Sequence, residues 1–342
     1  MQQDLQQWTV ESSHVRAHVQ SLGAMLGPAH FQVGGRTVQP FAVAPWANDP
    51  PEQLATLPGL LRRLRGEWPC IPFGVPEART DLPDEWLSGL SEPDDVVDPH
   101  PHGTCFNVHW PRASGSESDL VLRLYLPPPY PIEVLERRIA VDPLRAALSV
   151  TLKARARRPC QLPIGIHPTF RLPTTPGAFH LDFGNEALVW SFPVPKEPGI
   201  SVFTPDQRGV PLTRVARRGG DPVDASRLPL PFATEELLLV TNARGAVDLV
   251  NTEEGYRVRL TWDPEVFPCC NLWFSNRGRT AYPWNGRFLA IGVEPVRAPF
   301  DLGVAHARNS RSPLVRAGIP CTMEFKPEHD FVTAYTLALY PA

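Results

Sequence analysis

The stretch LVLRLYLPPPYPIEVLERRIAVDPLRAALSVTLKARA, residues 120–156, holds three apolar–polar alternations separated by prolines. Residues 120–127, 135–143 and 146–156 each repeat with a period of two, as strands with one buried face do. The breaks between them are short, so the three predict an antiparallel meander. The same period recurs before them, in HVRAHVQSLGAML (14–26). After them it returns in FHLDFGN, ALVWSFPV, AVDLVN, YRVRLTWD, NLWFSN, FLAIGVEPV, CTMEFKPE and FVTAYTLALY. Helix evidence is poor. PPEQLATLPGLLRRLRGE (50–67) allows short turns between its prolines, and no segment carries a clean 3.6-residue stripe. Roughly fifteen or more strands without helical blocks predict an all-β protein, a large antiparallel sandwich in a single domain spanning 1–342.

Composition agrees. Proline makes up 41 of 342 residues, more than twice the usual share of about 5%. The prolines fall between apolar runs, as rigid loops joining strands would place them. The chain is 42% hydrophobic and 20% charged, with a formal net charge of −3, so it offers no field for nucleic acid. The basic clusters RRLR (62–65) and KARARR (153–158) read as solvated faces, or as groups able to meet an anion on a ligand. No leader pattern opens the chain and no apolar run is long enough to span a bilayer, so a cytoplasmic protein with no membrane partner is expected. The six cysteines, Cys70, Cys105, Cys160, Cys269, Cys270 and Cys321, form no C-x-x-C pair. They are expected to be free, buried thiols. The acidic stretch 76–101 reads as a loop excursion near a site.

Phosphate-binding glycine loops, the H-E-x-x-H zinc motif and the G-x-S-x-G nucleophile elbow are all missing. Polar residues instead gather in four islands: LRGEWPCIPFG (64–74), PHPHGTCFNVHW (99–110), LPIGIHPTFRLP (162–173) and YPWNGRFLAIGVEPVRAPFDLG (282–303). His167 stands between apolar runs, followed by Pro168. Glu294 ends an apolar strand, followed by Pro295. A carboxylate there is costly to bury unless paired. Trp68, Phe73, Phe170, Trp273 and Trp284 lie in or near the islands, and aromatic rings beside carboxylates and histidines suit a sugar. Each of His167 and Glu294 taken alone reads equally as a satisfied structural residue. His100, His102 and His109 are indistinguishable by spacing.

Taken together and in order, the islands resemble the aldose 1-epimerase (galactose mutarotase-like) family, over most of the chain. GIHPTFRLP is similar to the segment bearing that family's catalytic histidine, and FLAIGVEPV to the strand ending in its catalytic glutamate. PHGTCFNVHW and LRGEWPCIPFG resemble its His-Gly and Arg-Gly…Pro-Phe-Gly segments. FTPDQRGVPLT (203–213) and LTWDPEVFPCCNLWFS (260–275) are also similar. The resemblance implies a β-supersandwich with few short helices and interconversion of the α and β anomers of a free aldose. It implies His167 as general acid and Glu294 as general base, with His102 and Arg65 binding the sugar. Trp273 is a further candidate for the pocket, and no cofactor or metal is required. For the family's substrate-binding carboxylate, Glu236 is the first candidate and Asp206 a weaker one. A hexose 6-phosphate branch carries an Arg four residues after the His-Gly histidine. Here that position holds Phe106, which favours an unphosphorylated sugar. Other readings remain open: a non-catalytic sugar-binding or sensing protein, or a lyase or hydrolase using Asp301, which by sequence is a turn residue. The oligomer expected is a monomer or homodimer.

Overall fold

The computed structural model describes residues 6–91 and 98–342; part of the acidic excursion, 92–97, lies outside the described residues. The architecture is all-β and antiparallel. The predicted meander forms the end of a nine-stranded sheet. In it Ala147–Ala156, Ile132–Val141, Asp119–Tyr125 and Arg112–Gly115 lie side by side in reverse chain order. On its other side the sheet continues through Phe331–Pro341, Tyr256–Trp262, Ala246–Asn251, Phe179–Asp182 and Arg227–Leu228. An eight-stranded sheet runs in the order Val210–Pro211, Leu188–Ser191, Thr234–Val240, Cys269–Asn276, Leu289–Arg297, Ile164–Ile166 and Pro69–Cys70. Its eighth strand, Thr169–Arg171, also pairs with Leu289–Arg297. A four-stranded N-terminal sheet (7–38) packs on the same core. The 50–67 stretch supplies two short helices, Pro51–Leu54 and Gly59–Arg62. Among the described residues, no helix is long and apolar enough to cross a membrane. All six cysteines are buried, and none is joined in a disulfide.

The alternation explains the layering. Leu120, Leu122 and Leu124 point inward from one strand, and Leu135, Ile139 and Val141 from the next. They share one apolar core with Leu238, Leu272, Phe274 and Ile291 of the eight-stranded sheet. That second sheet is buried on both faces: every residue of Thr234–Val240 is buried, as are seven of the nine in Leu289–Arg297. One face meets the nine-stranded sheet and the other lies under loops.

One inward position breaks the apolar pattern. Arg137 occupies the slot between Leu135 and Ile139, and its guanidinium grips the Glu67 carboxylate across the core. Both side chains are 1% exposed. Tyr335 stands beside them, its hydroxyl 3.4 Å from Arg137 Nη2. Glu67 immediately precedes Trp68, so this pair ties a wall of the cavity described below to the opposite sheet. Removing one partner of a buried pair strands a charge, at a cost of about 3–5 kcal/mol. Glu67→Gln should therefore destabilise the protein by about that amount in urea unfolding. The double change Glu67→Leu/Arg137→Met should recover most of the loss.

Candidate functional site

The His167 island is a gap in a ladder. Leu289–Arg297 pairs with Ile164–Ile166 near one end, through Ile164–Arg297 and Gly165–Val296. Nearer its other end it pairs with Thr169–Arg171, through Thr169–Gly292 and Phe170–Ile291. The register is the same on both sides of the gap. His167 therefore stands directly opposite Glu294, and Pro168 opposite Val293. Neither Pro168 nor Pro295 has an N–H to give the ladder. Across the gap the Val293 N–H donates to the Pro168 carbonyl (2.9 Å). Residues directly opposite in an antiparallel pair project from the same face, so the two side chains meet, His167 Nε2 lying 3.1 Å from Glu294 Oε1. The approach is that of an ion-pair contact without hydrogen-bond alignment, and Glu294 Oε1 has no hydrogen-bond donor within the protein.

The same row continues across the sheet. The His167 N–H donates to the Trp68 carbonyl, and Asn271 is the partner of Glu294 on the other side. The imidazole stacks on Trp68 (centroids 4.3 Å apart), which stacks in turn on Phe106 (4.6 Å). Trp273 meets the imidazole edge to face at 5.7 Å. Thr169, two residues on and facing the same way, sets its Oγ1 3.2 Å from His167 Nδ1. Two glycines make the space. A Cβ on Gly292 would fall 2.3 Å from Glu294 Oε1, and one on Gly165 would fall 2.5 Å from the Phe73 ring. Phe73 in turn meets His102 edge on at 4.9 Å. His102 has φ +57°, a left-handed conformation that costs a non-glycine residue about 1–3 kcal/mol. Its ring lies 5.3 Å from that of His167.

Of these residues His167, Glu294, Trp68, Phe106, Trp273 and His102 line a cavity open to solvent. Leu60, Leu61, Leu64 and Leu237 supply its apolar wall; Trp284, Lys196, Arg279 and Asp301 complete it. Trp68 Nε1, His102 Nδ1 and Glu294 Oε1 are all buried and lack a partner within the protein. Buried polar atoms are nearly always satisfied, so three such orphans on one cavity mark a place for a polar ligand. Among the described residues, no group of three His, Cys, Asp or Glu side chains is placed to hold a metal ion.

Burial dominates the electrostatics. It pushes His167 well below its ordinary value, with the neighbouring His102 adding to the effect. It pushes Glu294 well above the carboxylate range, helped by the negative charge of Asp301. In the free cavity the pair therefore favours its neutral form over the imidazolium–carboxylate form expected from sequence.

The sequence candidates divide. His167, Glu294, His102 and Trp273 line the cavity. His109 is bonded to Ser21 (2.7 Å) and His100 is exposed. Arg65 is not among the lining residues; its Nε donates to the Arg63 carbonyl. Glu236 projects from the opposite face of its strand, into the core. There it accepts the Val202 and Phe203 N–H groups and the Thr234 hydroxyl. With a period of two, one step changes the face. The adjacent Glu235 is the carboxylate on the cavity side, where it accepts the Trp273 indole N–H (2.5 Å) and the Ser275 hydroxyl (3.2 Å). Asp206 is bonded to Trp86 and Arg208. Phe170 faces the core, against Phe41. Asp301 lies in a turn, as read, but also lines the cavity. Lys196 and Arg279 escaped notice because no motif surrounds them.

No protein-family model and no curated protein sequence matches the chain. Its fold is that of several solved structures. A protein of Escherichia coli K12, named provisionally as an aldose 1-epimerase, is 14% identical with a TM-score of 0.65, covering 99% of this chain and 100% of that one. The galactose mutarotase related enzyme of Lactobacillus acidophilus is 12% identical (TM-score 0.59), covering 98% and 97%. The GalM/aldose epimerase homologue of C. elegans is 11% identical (TM-score 0.59), covering 99% of each chain.

Burial lowers His102 to about 4 against the opposing pull of Asp301. A histidine at its ordinary value of about 6.5 in the unfolded chain takes up a proton that the folded site refuses. His102 should therefore stay neutral to about pH 4 in an NMR titration. Its contribution to stability should be complete above pH 6.5 and fall away as pH drops from 6.5 towards 4.

Proposed function

We propose that the protein is an aldose 1-epimerase acting on a free sugar, with His167 and Glu294 as its acid–base pair. The observation that carries this reading is their placement opposite one another across the ladder gap, in an aromatic-walled cavity with unpartnered polar atoms. Ring opening removes the O1 proton, forms the C1=O1 carbonyl, breaks C1–O5 and protonates O5. Glu294 takes the first proton and His167 gives the second. Rotation about C1–C2 presents the other carbonyl face, and closure reverses the transfers. The exchange needs one proton shared by the pair, and both of its neutral and ionic partitions hold one. Sugar hydroxyls at the two groups supply the hydrogen bonds that favour the ionic partition. Trp68 and Trp273 offer rings to the apolar C–H face of the sugar, and His102 offers its unpartnered Nδ1 to a hydroxyl.

The cavity's cations favour an unphosphorylated substrate. Lys196 is held by Asp301, and Arg279 by Glu197 (3.1 Å) and Glu235 (3.4 Å). A phosphate clamp wants cations free to converge. Glycoside hydrolysis asks for a second reactive carboxyl beside Glu294, and Asp301 and Glu235 are both already engaged.

Polarimetry from pure α-D-glucose and α-D-galactose tests the reading. The wild type should speed equilibration, and His167→Asn and Glu294→Gln should each lower kcat by about 10²-fold or more while staying folded. No acceleration with either sugar overturns it. The pH–rate profile should be a bell. Its acid limb marks a second proton entering the pair and lies below the ordinary histidine value, because His167 is depressed. Its basic limb marks loss of the last proton and lies above the ordinary carboxylate value, because Glu294 is raised. A profile that falls on neither side, over the whole range in which the protein stays folded, excludes the pair as the acid and base. Gly292→Ala should displace the Glu294 carboxylate. It should lower kcat by about tenfold or more with little change in melting temperature.

A further inference from the structure

We propose that Lys196 and Asp301 form a hydroxyl-reading pair that selects sugars carrying two adjacent free hydroxyls away from the reacting C1–O5 edge. The proposal rests on the aldose reading above. Both side chains line the cavity, 13% and 17% exposed, and the ammonium is bonded to the carboxylate. Asp301 acts electrostatically on both His102 and Glu294, and all of these groups line the same cavity. Apart from Trp68 Nε1 and His102 Nδ1, which flank His167, the wall is poor in free polar groups. Leu60, Leu61, Leu64 and Leu237 have none, and Arg279 is committed to two carboxylates and to the Trp284 face (4.8 Å).

The pair is rigidly built. Asp301 follows Phe300 at φ +54°, in a turn whose Asp301 carbonyl accepts the Val75 N–H (2.8 Å). Gly74 and Gly303 allow that contact: a Cβ on Gly303 would fall 2.1 Å from the Val75 carbonyl oxygen. Lys196 lies over the Phe192 ring at 4.8 Å. Burial pushes the Asp301 carboxyl up, but the Lys196 ammonium outweighs this and holds it below its ordinary value, so it stays an acceptor. The ammonium has three N–H donors and the carboxylate spare lone pairs after their mutual bond. Side by side they match a diol: one hydroxyl donates to Asp301 and its neighbour accepts from Lys196. A buried ion pair is weak evidence for stability, whereas a site built to bond hydroxyls strongly rejects analogues that lack them. The pair sums to no net charge, which suits a neutral ligand.

The test uses the full chain, Lys196→Met and Asp301→Asn. Their substrates are D-glucose or D-galactose, whichever is turned over faster, and its 3-, 4- and 6-deoxy analogues. Activity is read by polarimetry and binding by tryptophan fluorescence. The wild type should lose about tenfold or more in kcat/KM on at least one deoxy sugar, mainly through KM. Both variants should lose a similar factor on the parent sugar and little on that analogue, so that discrimination disappears. A purely structural role would lower all sugars by one factor, and that result overturns the proposal. So does a wild type that treats every analogue alike. If no sugar is turned over, fluorescence decides separately. Deoxy-sensitive binding that the variants abolish upholds the pair while the epimerase reading falls. Binding indifferent to the missing hydroxyl overturns the pair.

Discussion

The site depends on a register that survives an interruption. Two short strands pair with Leu289–Arg297 on either side of a proline-containing gap, and both keep the same alignment. Because side chains alternate with a period of two, a slip of one residue on either strand would turn His167 or Glu294 into the core. The pairing on both flanks forbids that slip. Pro168 and Pro295 open the ladder where His167 and Glu294 stand, and Gly292 leaves the space that the carboxylate fills.

The two sheets divide the work. The nine-stranded sheet and the inner face of the eight-stranded one bury the apolar surface that stabilises the molecule. This frees the outer face of the second sheet to carry polar groups under loops. The buried Glu67–Arg137 pair couples the layers, holding the segment that bears Trp68 against the far sheet. Glu235 plays a local counterpart: on the cavity face it orients Trp273 by accepting the indole N–H. Positioning thus runs from the core outward through ordinary hydrogen bonds.

The cavity's chemistry follows from the burial of its polar groups. Rings of Trp68, Phe73 and Trp273 surround the imidazole. Their low polarity penalises charge on both His167 and Glu294. A pair so placed holds one proton at modest cost and responds strongly to a ligand that brings hydroxyls. The same burial leaves polar atoms of Trp68, His102 and Glu294 without a partner in the protein.

The sequence by itself determined the fold class. Period-two alternation and proline spacing are local, and they survive into the structure as the meander of 119–156 and the late strands. It also marked His167 and Glu294, because a polar residue between apolar runs and prolines is a local anomaly; the family resemblance of the ordered islands singled out His102, and Trp273 stood out as an aromatic neighbour. What only the tertiary structure decided is facing and neighbourhood. Glu235 and Glu236 are equivalent by composition, and strand pairing alone sends the first to the cavity and the second to the core. Arg65 lies within a recognisable motif, but its guanidinium turns back to the Arg63 carbonyl. Lys196 and Asp301 are distant in sequence and carry no periodic signal; they meet because two loops close over the same sheet face. Alternation is written along the chain, but which face meets water, core or ligand is set by residues far away in it.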